Sequence, residues 1–227
     1  MQAFKKLFLG LFFGGAFFLS AVGAEVGSVV RSSGTVSIIS IDGKTRTLNK
    51  GDPVSVGDTI STQQSSQAMI RLLDKSTLLV RESSKVVLKD FKFAKAPDDR
   101  VQTNIVTGAV RAVSGAIAKA NPSSVNYAVG TATVGIRGTD IELAILPEGR
   151  PDRAGIYNYV YSGETQMTLA SGESVNVEKE TSGFSPATPK EGEPRLIILR
   201  DRPAFIQSTG FDALIQQLST PRIPAIR

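Results

Sequence analysis

A chain of 227 residues carries 26 lysines and arginines against 21 acidic residues, a formal +5, and contains no cysteine, histidine or tryptophan. That composition excludes disulfides, thiolate chemistry, a lipid anchor through cysteine, imidazole bases, histidine metal ligands and the usual serine–histidine triad. The charge is interspersed, with no basic stripe bearing stacking aromatics, so nucleic acid is not an expected partner, and neither a catalytic residue, a cofactor nor a metal is expected.

The first 24 residues read as a secretory signal peptide. Lys5 and Lys6 give a positive start, Leu7 to Leu19 is uncharged and apolar, and Val22-Gly23-Ala24 offers small residues for cleavage before Glu25. Loss of the two lysines takes +5 to +3. The expected location is therefore the periplasm or the outside, with a mature chain that does not span the membrane. Roughly 200 residues bury about 70% of their unfolded surface, enough for a core without staples.

From Gly34 to about Lys179 the pattern is short strands punctuated by turns. Thr35 to Ile41 alternates polar and apolar residues up to Asp42-Gly43, a dipeptide suited to a type I′ hairpin turn. Gly51-Asp52 and Gly57-Asp58 mark two further turns. Ala68 to Leu73 and Thr77 to Val80 read as a hairpin around Asp74-Lys75, where the lysine is expected to resist a positive φ. Val86 to Phe93 gives a strand, and Val101 to Val113 another, with a turn-like Gly108. Ala116-Ile117-Ala118 suits a helical turn ended by Asn121-Pro122. Tyr157, Tyr159 and Tyr161 share one face of a later strand by its period of two. The expected fold is all-β, a sandwich, roll or short solenoid over residues 25–181. A Pro-rich extension, 182–227, follows, expected to strap back onto the domain, with an edge strand at Leu196 to Leu199. Phe211, Leu214, Ile215 and Leu218 form the stripe of a short amphipathic helix near 209–219.

Gly130 and Gly135 precede an arginine, but a phosphate loop needs Lys-Ser/Thr where Ile136-Arg137 stands, and a helix where β-type residues follow. Gly135, Arg137, Gly138 and Thr139 read better as a structural bend or bulge leading into the strand face Ile141, Leu143, Ile145. Arg137 has donors enough to pin carbonyls or a carboxylate, or to bind an anionic group. Asp140 and Glu142 fall on one strand face about 6–7 Å apart, a spacing open to acid–base work or to a solvated surface. The tyrosines at 157, 159 and 161 fit either a platform for a sugar or partner strand, or a cover over the core.

The run Val134 to Ile145, preceded by the two Gly-Asp turns, resembles the FecR domain, a periplasmic all-β module of iron-transport signalling. The resemblance covers roughly Val36 to Val177. It lacks the anti-sigma segment and transmembrane helix of FecR-type regulators. It implies a non-enzymatic protein-binding or signalling-accessory module of the bacterial envelope, with a membrane sensor or receptor as partner. A cell-wall or polysaccharide-binding module is the alternative, resting on the tyrosines. Exposed strand edges or loop faces are the expected mode of contact.

Overall fold

The computed structural model describes residues 23–206, which the local chemistry of the turns divides into fifteen strands. The expected leader, but for Gly23 and Ala24, and the apolar stripe at 209–219 lie outside the described residues. In chain order the strands are β1 (Glu25–Ser33), β2 (Val36–Ile39), β3 (Thr45–Thr47), β4 (Pro53–Ser55), β5 (Thr59–Thr62), β6 (Gln67–Leu72), β7 (Thr77–Val80) and β8 (Lys85–Lys92). They continue as β9 (Arg100–Val113), β10 (Val125–Val129), β11 (Ala132–Leu146), β12 (Gly155–Leu169), β13 (Ser174–Val177), β14 (Ser182–Pro186) and β15 (Ile197–Leu199), with a short α-helix, α1 (Ala116–Ala120), and a 3-10 turn, Pro122–Ser124, between β9 and β10. The fold is all-β.

The two Gly-Asp turns work by one device. Asp52 Oδ2 accepts the Asn49 amide at 2.8 Å and Asp58 Oδ2 accepts the Ser55 amide at 2.7 Å, each three residues back. Burial pushes the Asp58 carboxyl up, against the lowering effect of the Ser55 amide. Two turns depart from expectation. At Asp42-Gly43 only the glycine has positive φ, and the Gly43 amide donates to the Ser40 carbonyl, so the loop is a longer turn with a glycine bulge. Lys75 does adopt φ 71°. Asp74 holds it there by accepting the Ser76 amide at 3.0 Å and hydroxyl at 2.6 Å.

The strands form one mixed sheet in the order β15-β14-β12-β11-β10-β9-β7-β6-β1-β4, with β2, β3, β5 and β8 branching off and returning to β9. Its one parallel pair among these registers, β9 with β10, requires a crossover. Residues 114–124 supply it, and α1 buries Ile117 and Ala118 on the way. The stretch after residue 181 continues the sheet, with β14 on β12 and β15 on β14.

Three long strands change neighbours along their length. The first half of β9 lies between β8 and β10, and its second half between β7 and β11. The change falls at Gly108. On β11 and β12 the register shifts between Arg137 and Asp140, opposite Glu164 and Ser162. Gly138 (φ 60°) and Gly163 (φ 81°) face each other there, and a Cβ on Gly163 would stand 2.5 Å from the Gly138 carbonyl oxygen. These aligned bends curl the sheet so that one face closes on a single core. Ile38, Ile60, Ile70, Leu78, Ile105, Ile141, Leu143 and Val160 all belong to it.

Candidate functional site

The other face of the sheet, turned away from that core, carries the polar chemistry. Alternation puts Leu79 and Arg81, Ala109 and Arg111, then Asp140, Glu142 and Ala144 on it, together with all three tyrosines of β12. The register lines up Leu79, Arg111, Glu142 and Tyr159 in one row across four strands.

Two arginine–carboxylate pairs dominate this face. Arg81 donates from Nε to Glu142 Oε1 at 2.8 Å and from Nη2 to Oε2 at 3.0 Å. Arg111 donates from Nε to Asp140 Oδ1 at 2.9 Å and from Nη2 to Oδ2 at 2.7 Å. Both are forked, the strongest geometry open to a guanidinium and a carboxylate. Glu142 is 2% exposed and Arg111 3%. Tyr161 adds a hydroxyl donated to Glu142 Oε2 at 2.7 Å, while the Arg111 guanidinium lies 3.8 Å from the Tyr161 ring centre. Asp140 and Glu142 therefore share a face as the spacing implies, but each is engaged in a forked ion pair with an arginine across the sheet.

A strap of residues 200–206 runs back over the tyrosines. Asp152 accepts the amides of Ala204 at 3.2 Å and Phe205 at 2.9 Å. Phe205 stands edge-on to Tyr157 at 5.0 Å, with Phe184 on the same ring at 4.5 Å. Arg202 donates to the Tyr161 hydroxyl at 3.0 Å and lies 5.4 Å from the Tyr159 ring centre. Tyr157 and Tyr159 are buried and Tyr161 half-buried. Beside the strap opens a cleft of about 660 Å³, lined by Arg81, Glu142 and Ala144, by Ser65 and Ser83, and by Leu146, Pro147 and Phe205.

Burial raises the Tyr157 phenol to about 12, helped by the charge of Asp152. Tyr161 is raised by burial and then by Glu142, and Tyr127 by complete burial. A raised phenol favours the neutral ring in the fold, whereas the unfolded chain ionises from about 10. Stability is thus complete below pH 10 and lost as the pH climbs towards 12. In a Tyr159→Phe variant, alkaline titration followed by phenolate absorbance and circular dichroism should show ionisation and unfolding together, and phenolate appearing near pH 10 in the still-folded protein would contradict this burial.

The motif residues lie at the bend, away from the cleft lining. Gly138 supplies the positive φ, and Thr139 is buried with its backbone bracketed by Ser114, whose hydroxyl accepts the Thr139 amide and donates to its carbonyl, each at 2.6 Å. Gly135 is half-buried on β11 opposite Asn126. Arg137 is exposed at the bend. Sequence reasoning passed over Arg81 and Arg111. The available signal was a single arginine inside each apolar run, Leu78-Leu79-Val80-Arg81 and Val110-Arg111-Ala112, which calls for a carboxylate across the sheet.

Among the described residues no group of three or more acidic side chains gathers as a metal site. No helix among them is long and apolar enough to cross a membrane, which says nothing of strands.

Residues 58–164 match the family model described as FecR protein. No curated protein matches the chain. Among solved structures, a cell surface anchoring domain is similar at 30% identity over 28% of this chain and 83% of that one, with a TM-score of 0.27. Two crystal structures of a candidate anti-sigma factor from Parabacteroides distasonis are similar at 10% and 9% identity, with TM-scores of 0.45 and 0.47. Each of these two matches covers 63% of this chain and 59% of that one, so under two thirds of the other protein is spanned. The family match begins at the second Gly-Asp turn and ends just past the Gly138–Gly163 bend, so the similarity to FecR proteins is carried by this stretch of the chain.

Proposed function

We propose that this protein is an exported, non-enzymatic component of the bacterial envelope whose FecR domain serves as a protein-binding, signalling-accessory module. The observation that carries the reading is the FecR match over residues 58–164. The forked pairing of both Asp140 and Glu142 supports a binding role over a catalytic one, since the carboxylates best placed for acid–base chemistry are already engaged. The leader-like sequence before Glu25 supports export to the periplasm or beyond. A membrane sensor or receptor is the partner class that fits this reading.

The strap covers Tyr157 and Tyr159, so the proposed docking surface on this face is centred on Tyr161, the half-buried member. The test is crosslinking of the tagged protein in envelope fractions, followed by affinity capture and mass spectrometry. Recovery of one inner-membrane sensor or outer-membrane receptor, crosslinked on this face, is the expected result. Retention on isolated cell-wall sacculi with no protein captured would replace this reading with glycan binding.

A further inference from the structure

The sheet ends at β15, which meets β14 on one side and no described strand on the other. An open edge of this kind is commonly guarded by a charge, a proline or a bulge within the strand. Ile197, Ile198 and Leu199 carry none of these, and the nearest prolines, Pro194 and Pro203, stand outside them.

Both faces of this edge are apolar. The row Ala144, Tyr157, Phe184, Ile197 crosses four strands in register and stops at the edge on an aliphatic side chain. Ile197 and Leu199 pack against the Tyr157–Phe184 cluster and are left half-buried. Ile198 points to the opposite face. Its neighbour there, Gly183, has no side chain to cover it, and Ile198 is 38% exposed.

Charge brackets the apolar run. Arg195 precedes it and Asp201 follows it, each three residues from Ile198 and both exposed. The segment is therefore complementary to its own reverse. A two-fold axis through Ile198, perpendicular to the sheet, sets this residue against Ile198 of a second copy. It also sets Ile197 against Leu199 of the copy, and Arg195 against Asp201 of the copy, at both ends of the pairing. Only even slips of register keep the two faces matched. A slip of two in one direction opposes the acidic Glu193 and Asp201, and in the other it opposes Ile197 and Asp201.

We propose that two copies of this chain pair antiparallel through β15, continuing the sheet across a two-fold axis at Ile198. The occupant of the edge is a second copy because the apolar centre and the opposite charges at its ends fit their own reverse. A three-residue edge buries less than the roughly 1,200–2,000 Å² of a stable interface, so the dimer is weak and forms with rising concentration. The inference does not rest on the functional reading above, since it concerns only the edge of the sheet.

The chain has no cysteine, so one introduced thiol reports on the axis. Ile198→Cys is expected to oxidise to a covalent dimer, because directly opposed residues of an antiparallel pair bring their Cβ atoms within about 5.5 Å. Ile41→Cys, 60% exposed in the β2–β3 turn, is expected to stay monomeric under the same conditions. Equal dimer formation by both thiols, or none from Ile198→Cys, would overturn the proposal. A disulfide from Ile198→Cys to a different envelope protein would overturn it in favour of a foreign strand on this edge. Sedimentation of the cysteine-free protein over a range of concentrations supplies a second measurement. Arg195→Asp and Asp201→Arg should each raise the dimer dissociation constant about tenfold, and the two together should restore it. A monomer at every concentration, or a double variant no tighter than the single ones, would count against the pairing.

Discussion

Replacing Glu142 by alanine is expected to lower the folding free energy by about 3 kcal/mol, at the low end of the cost of breaking a buried ion pair. The carboxylate is almost wholly buried and accepts three hydrogen bonds, two from Arg81 and one from Tyr161. Its loss takes away the acceptor both donors face inside the sheet. The low end applies because the Arg81 side chain keeps 18% of its exposure, so water softens the penalty. Arg81→Met combined with Glu142→Leu should recover part of the loss, since neither charge is left facing the other's gap, while the Tyr161 hydroxyl still loses its carboxylate acceptor. Urea unfolding with an unchanged m-value measures both effects. A double variant no more stable than Glu142→Ala would mean that the pair matters for shape beyond charge.

Gly108→Val is expected to cost at least about 3 kcal/mol, the sum of a left-handed backbone forced on a β-branched residue and an overpacked site. Gly108 has φ 77°, and a Cβ there would sit 2.2 Å from Ser84 Oγ, 2.6 Å from Ser84 Cα and 2.7 Å from the Ser83 carbonyl oxygen. Two of those three atoms are backbone and cannot swing away. The Ser84 hydroxyl also accepts the Ala109 amide at 2.9 Å, so displacing it breaks the contact that holds the bend. In a domain of this size the melting temperature should fall by roughly 6–12 °C. Adding Ser84→Gly should recover only part of it, because the positive φ and the Ser83 carbonyl remain. Full recovery would assign the cost to the serine side chain alone.

What the sequence made legible was whatever is decided within a few residues. The Gly-Asp turns could be read because each aspartate bonds an amide three residues away. The shared face of the tyrosines and the bend at Gly138 follow from period and from glycine in the same local sense. Lys75 escaped because Asp74 stabilises a conformation that propensity alone disfavours. The candidate site escaped for a different reason. Glu142 meets an arginine 61 positions earlier and Asp140 one 29 positions earlier, and only the register of β7, β9 and β11 brings them together. A lone arginine in an apolar strand announces that it has a partner without naming it. That the extension straps back is expected from the sequence, but its anchor is not, because Asp152 lies in a loop whose composition records exposure and nothing about which residues return to it.

The strand β9 touches β7, β8, β10 and β11, more neighbours than any edge of the sheet possesses. It acts as the keystone of the domain. Chain segments on either side of it cannot mature as separate modules, because each needs the same strand to finish its hydrogen bonding. A break in the loop at 147–152 would leave one fragment holding β9 and all four of its neighbours. The other would hold β12 to β15, a flank with nothing to lean on until it finds β11 again. Inherited change should accordingly gather at β3 and β13, and spare the strand through which every other part of the sheet is joined.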